Sequence, residues 1–175
     1  NLGKVYCWGD NDFGRTGIGL TVGQIGPTPL SFDFGLAAIE ITASQNHACA
    51  LMDNNYVSCW GMGNNGRNGQ GTDTSVHISE PQNITIIPDG LNATSISGGL
   101  SHTCAILSDD SVLCWGVGTI GSNSGKRYYF GNLIPTSIKS GDGFSCVLLD
   151  NYSVNCWGEN HFGTLGINST VDKST

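Results

Sequence analysis

The chain has 175 residues, 26 of them glycine, and it is acidic: seven Lys and Arg against fourteen Asp and Glu give a net charge of −7. It lacks the basic stripe with which nucleic-acid binders neutralise phosphates, since Lys126-Arg127 is the one adjacent cationic pair. No apolar run approaches the roughly 20 residues of a membrane span, so no membrane insertion is expected within this segment.

Cys7-Trp8-Gly9 opens a pattern that returns at Cys59-Trp60-Gly61, Cys114-Trp115-Gly116 and Cys156-Trp157-Gly158, and these copies hold all four tryptophans. The copies lie 52, 55 and 42 residues apart, so this is an internal repeat, and its fixed residues are read first as architecture. Asn1–Tyr6 reads as the second strand of a hairpin whose first strand is missing. That leaves Cys7 unpaired in this segment and suggests a piece of a longer chain, or a half-ring completed by neighbours.

Asp10-Asn11-Asp12-Phe13-Gly14 imitates the start of a calcium loop, but Thr21 stands where the closing glutamate belongs. The aligned Met62–Gly66 and Glu159–Gly163 lack its alternating acids, so a turn is expected instead, and no metal or cofactor. Glycines follow each copy at Gly14, Gly66, Gly121 and Gly163. A second set follows at Gly17, Gly69 and Gly166, slipping to Gly125 in the third copy. Glycine there supplies positive φ and close backbone approach. The stretches 18–40, 70–95 and 125–137 vary most and usually hold proline (Pro27, Pro29, Pro81, Pro135), so they are the expected partner-reading loops.

Next come Ile41, Ile96 or Ile138 and, six residues later, His47, His102 or Phe144. A position that accepts Phe serves packing rather than catalysis. His77 and His161 have no place in the repeat, and neither a Gly-x-Ser-x-Gly elbow nor a phosphate loop occurs, so no enzyme activity is expected.

Cys49, Cys104 and Cys146 each stand ten residues before the next Cys-Trp-Gly cysteine. The intervening segments read as β-hairpins with Asp/Asn/Ser tips, which place their end residues opposite one another. Six cysteines permit 15 pairings. The repeat selects Cys49–Cys59, Cys104–Cys114 and Cys146–Cys156, each worth roughly 2–3 kcal/mol by loop closure. A zinc site would compete for the same sulfurs. Disulfides imply an oxidising compartment, and four N-glycosylation sequons agree, at Asn83, Asn92, Asn151 and Asn168. An extracellular or cell-surface location is therefore expected. Lys126, Arg127, Tyr128, Tyr129 and Phe130 interrupt an otherwise polar stretch, either as a recognition hot spot or as a loop covering its own unit.

Two segments carry a family resemblance: Trp157-Gly158-Glu159-Asn160-His161-Phe162-Gly163-Thr164-Leu165-Gly166 and Ile96-Ser97-Gly98-Gly99-Leu100-Ser101-His102-Thr103-Cys104-Ala105-Ile106-Leu107. They resemble the regulator-of-chromosome-condensation repeat, which implies an all-β fold of four-stranded propeller blades. Some three to three and a half blades of a seven-bladed ring are expected here. The chain reads as one repeat array, 1–175, with units of about 7–58, 59–113, 114–155 and a partial 156–175. On this reading Trp60, Trp115 and Trp157 are buried beside their disulfides and hold neighbouring blades together.

The family's members include a nuclear exchange factor, a secreted bacterial β-lactamase inhibitor and plant receptor ectodomains, so fold does not name function. The expectation is an extracellular, non-enzymatic module that binds a protein or glycan through its face loops, or self-assembles. The alternatives are a structural subunit of a filament, sheath or wall layer, and a non-catalytic part of a larger secreted enzyme or receptor.

Overall fold

The computed structural model describes residues 4–32, 35–71, 76–117 and 124–174. These form antiparallel β-sheets laid side by side. The first sheet pairs β1 (Tyr6–Asp10) with β2 (Gln24–Pro29). The second runs β3 (Ala38–Ala43), β4 (His47–Met52), β5 (Val57–Gly61) and β6 (Ile78–Asn83) in sequential order. The third repeats it with β7 (Ala93–Gly98), β8 (His102–Leu107), β9 (Val112–Gly116) and β10 (Lys126–Tyr128). The last has β11 (Pro135–Ser140), β12 (Phe144–Leu149) and β13 (Val154–Gly158), extended by a single bridge from Gly158 to Lys173. The repeated glycine Gly121 lies outside the described residues.

The first strands of successive blades lie together, tied by side chain to backbone. Glu40 accepts from the Ile96 N–H and Thr42 Oγ1 from the Gly98 N–H. Ser97 Oγ accepts from the Ser140 N–H. The sheets therefore fan out from that line like spokes. Each blade runs from its Ile-bearing inner strand to its outer strand. A unit counted between Cys-Trp-Gly copies thus joins the outer half of one blade to the inner half of the next.

The stretches expected to be variable loops also contain the outer strands β2, β6 and β10. Sequence reading missed these because prolines interrupt β2 and β6, and β10 is only three residues long. An outer strand has one unpaired edge, where a missing N–H costs no ladder bond, so Pro27, Pro29 and Pro81 are tolerated there. The connections on that side include 84–92 and 129–134, with 30–32 and 35–37 described of the one between β2 and β3.

The cysteine-bearing hairpins match the expected register: Cys49 faces Cys59, Cys104 faces Cys114 and Cys146 faces Cys156. Disulfides join all three pairs, with Cα atoms 4.1, 4.0 and 4.1 Å apart. The glycine closing each Cys-Trp-Gly has a structural reason. Gly61 and Gly116 sit at φ 103° and 107°. A Cβ at Gly61 would stand 2.5 Å from the Asn46 carbonyl oxygen, and one at Gly116 2.5 Å from that of Ser101. No helix among the described residues is long and apolar enough to cross a membrane.

Candidate functional site

Side chains alternate across a strand, so each Cys and the Trp that follows it face opposite ways. The expectation that a tryptophan lies beside its own disulfide is corrected accordingly. Trp115 packs into the cluster that holds Cys49 and Cys59 of the preceding blade, with Leu51, Val57 and Ile96. Trp157 packs with Cys104 and Cys114. Trp60 packs with Val5, Leu30 and Met52, and half-buried Cys7 stands where the other seams carry a bridge. All three indoles are at most 1% exposed, whereas Trp8, on the first sheet, is 66% exposed.

For Trp60 and Trp115 the preceding blade also supplies a cover. Trp60 Nε1 donates to the Arg15 carbonyl at 3.0 Å, and Trp115 Nε1 to the Arg67 carbonyl at 3.1 Å. Two of the second repeat glycines lie against these rings; a Cβ at Gly17 would come within 2.9 Å of Trp60 and one at Gly69 within 3.3 Å of Trp115 Nε1. The glycine-rich segment is thus a lid over the next blade's tryptophan.

The histidines belong to the same seams. His47 Nε2 hydrogen-bonds Thr103 Oγ1 and His102 Nε2 hydrogen-bonds Ser145 Oγ, both at 2.9 Å, reaching from one blade to the residue before the next blade's first cysteine. Both rings are 1% exposed. Burial, helped by the Arg67 cation and by His102, lowers the pKa of His47 to about 3. Burial lowers that of His102 to about 4, with Asp142 pulling partly the other way. Sequence reading placed the histidines but not their partners. The signal was the hydroxyl at Thr103 and Ser145, absent from the equivalent Ala48.

Asn11, within the calcium-like segment, is fully buried and holds a turn. Its Oδ1 accepts from Thr16 N–H and hydroxyl, and its Nδ2 donates to the Leu20 carbonyl. Asn160 does the same in the last copy, accepting from Leu165 N–H and donating to the Ser169 and Val171 carbonyls. Among the described residues no group of three or more His, Cys, Asp or Glu could hold a metal. His77 accepts from the Gly63 N–H at 3.4 Å, and exposed His161 lies 3.8 Å from Asp172.

The aromatic patch divides. Tyr128 is 4% exposed, its ring 4.7 Å from that of Trp157, and Phe130 also packs against that core. Tyr128 and Phe130 are therefore removed from the proposed recognition set: their apolar rings fill the seam above Trp157. Arg127 pairs with Asp109 and Ser111, and Lys126 donates to the Ser174 carbonyl. Tyr129, 66% exposed with the Arg127 guanidinium 5.1 Å from its ring centre, is what faces solvent.

Strand direction sorts the loops onto two faces. Hairpin tips and the 84–92 and 129–134 connections share one face, which carries Asn83, Asn92 and Asn151 along with Asp53, Asp89, Asp109, Asp110 and Asp150. Asn168 follows the far end of β13, on the opposite face, and all four sequon asparagines are exposed. At the tip of its hairpin, Asn151 Oδ1 accepts from the Ser153 N–H and hydroxyl. Asn54 and Asp109 hold the equivalent turns, each followed by a residue at positive φ, Asn55 and Asp110.

Sequence and shape now agree on the lineage. The regulator of chromosome condensation (RCC1) repeat matches residues 38–70, 93–124 and 136–164 in one form, and 3–51 and 56–106 in another. The chain belongs to the RCC1-repeat family. It is 32% identical to the ultraviolet-B receptor UVR8 of Arabidopsis thaliana over 68% of its own length and 26% of that protein. Human WBSCR16 shares its fold with a TM-score of 0.87 at 21% identity, over 99% of this chain and 47% of that one. The entire ectodomain of the Physcomitrella patens receptor kinase CR4 superposes with a TM-score of 0.50 at 25% identity, over 71% of this chain and 31% of that one. The chain thus spans between about a quarter and a half of these relatives, as a partial propeller.

Cys7 offers a local test of this packing. Burial raises its thiol pKa, so native protein near neutral pH should alkylate at Cys7 much more slowly than unfolded protein. Equal rates in the two states, followed by mass spectrometry, would show that the thiol is not tucked against Trp60.

Proposed function

We propose that these RCC1 repeats form a non-enzymatic binding module of an extracellular or cell-surface protein, reading a protein partner through the loops of the propeller faces. The observation that carries the reading is the set of three hairpin disulfides, repeated at one position in successive blades, with Cys49–Cys59 and Cys104–Cys114 fully buried in the seams. Such bridges persist in oxidising compartments. The likeness to the CR4 ectodomain and the exposure of all four sequon asparagines support the same reading.

The test is thiol alkylation of protein from its natural source, under denaturing and non-reducing conditions, joined to intact-glycopeptide mapping. Cys49, Cys59, Cys104, Cys114, Cys146 and Cys156 should resist alkylation, and Asn151 should carry a glycan. Six reactive thiols and bare asparagines would place the protein in a reducing compartment instead.

A further inference from the structure

A cleft of about 350 Å³ opens on the tip face between the second blade's hairpin tip and the 84–92 connection. Tyr56, 54% exposed, stands on one side; Ile84, Ile87, Pro88 and Leu91 form the apolar part. Two sequon asparagines stand on its lips, one at each end of the connection: Asn83 closes β6 and Asn92 precedes β7.

The two asparagines differ in what already engages them. Asn83 Oδ1 accepts from Ser58 Oγ at 2.7 Å, so its carboxamide is tied to the β5–β6 pairing. Asn92 is pinned by its backbone instead. Its N–H donates to Ser108 Oγ and its carbonyl accepts from the Ser108 N–H. Its carboxamide takes no part in those bonds, so the backbone is fixed while the amide nitrogen is free to be modified.

The chemistry of the walls suits one kind of occupant. A pyranose ring has an apolar C–H face that packs on an aromatic or aliphatic surface, and hydroxyl and acetamido groups that need donors and acceptors. An exposed tyrosine above isoleucine, proline and leucine supplies the first, and Asn55 and Asp89 on the same walls supply the second. The volume exceeds what one hexosamine fills, and the tether removes most of the entropy cost of binding it.

We propose that this cleft is the seat of the chain's own first N-acetylglucosamine, carried on Asn92, and that the seated sugar locks the 84–92 connection over the seam of the second and third blades. This rests on the secretory reading above. The full chain, made in a eukaryotic secretory host, is compared in three glycoforms: intact, trimmed to the single core N-acetylglucosamine, and fully deglycosylated. Trimming should leave Tm unchanged. Full removal should lower it by about 2–4 °C and speed amide exchange in 86–91 severalfold. N92Q should reproduce that loss and N83Q should not, while Y56A should keep Asn92 occupied yet abolish the difference between trimmed and bare protein. An occupied Asn92 whose removal changes neither Tm nor exchange overturns the seat alone. So does a loss that persists in Y56A or follows N83Q. A bare Asn92 beside bare Asn83 and Asn151 overturns the secretory reading, and the seat with it.

Discussion

Replacing Trp115 with Ala should cost about 3–5 kcal/mol, the range for truncating a large buried aromatic. The indole is fully buried, packs on the Cys49–Cys59 bridge of the neighbouring blade and donates to the Arg67 carbonyl. Truncation opens a cavity and also orphans that lid. Chemical denaturation reads the loss. A shift below about 1 kcal/mol would mean that the seam does not depend on its tryptophan, and would return Trp115 to the class of recognition residues. Trp8→Ala, at an indole 66% exposed, should move stability far less within this stretch.

Acidification should weaken the fold well before the carboxylates titrate. His47 and His102 titrate in the native state at about 3 and about 4, against an ordinary value of 6.5. Their folded pKa values lie below the unfolded ones, so between those limits the unfolded chain binds protons that the native chain refuses. The stabilisation they contribute is complete above pH 6.5 and is lost as pH falls towards 4 and then 3. With both rings contributing, the slope approaches about 2.7 kcal/mol per pH unit. Urea midpoints between pH 7 and 4 give the slope directly. A His102→Phe variant, which borrows the Phe144 solution of the last copy, should roughly halve it. A wild-type midpoint that does not move across that range would show that the rings are reachable by protons, against their burial between blades.

Much of this was legible because the repeat compares the chain with itself. Phe144 in place of His47 and His102 showed that the position packs, and the ten-residue cysteine spacing selected the bridges. Two things stayed hidden. The outer strands carry Pro27, Pro29 and Pro81, which a pattern reader counts against a strand, although an edge strand has a side where the missing N–H is harmless. The partners of the indoles and imidazoles lie 43 to 56 residues away in the next or previous blade. Local periodicity gives the face a side chain occupies, not which sheet meets that face. The Lys126–Phe130 patch left two readings open for a related reason. A run of aromatics beside cations looks the same whether it faces a partner or fills a seam, and only the placement of β10 against Trp157 separates Tyr128 from Tyr129.

Because every seam is composed half by one blade and half by its neighbour, the pieces behave like interchangeable couplings. Each seam sets an indole on one side against fittings of the preceding blade on the other: a glycine lid over Trp60 and Trp115, and a cystine behind Trp115 and Trp157. Gene-level duplication or exchange of one unit therefore creates junctions in which old and new halves still fit. Selection can rewrite the connections between them, such as 84–92 and 129–134, without renegotiating the joints. The conserved parts of such an array set how copies join, and its individuality accumulates in the segments that joining does not use.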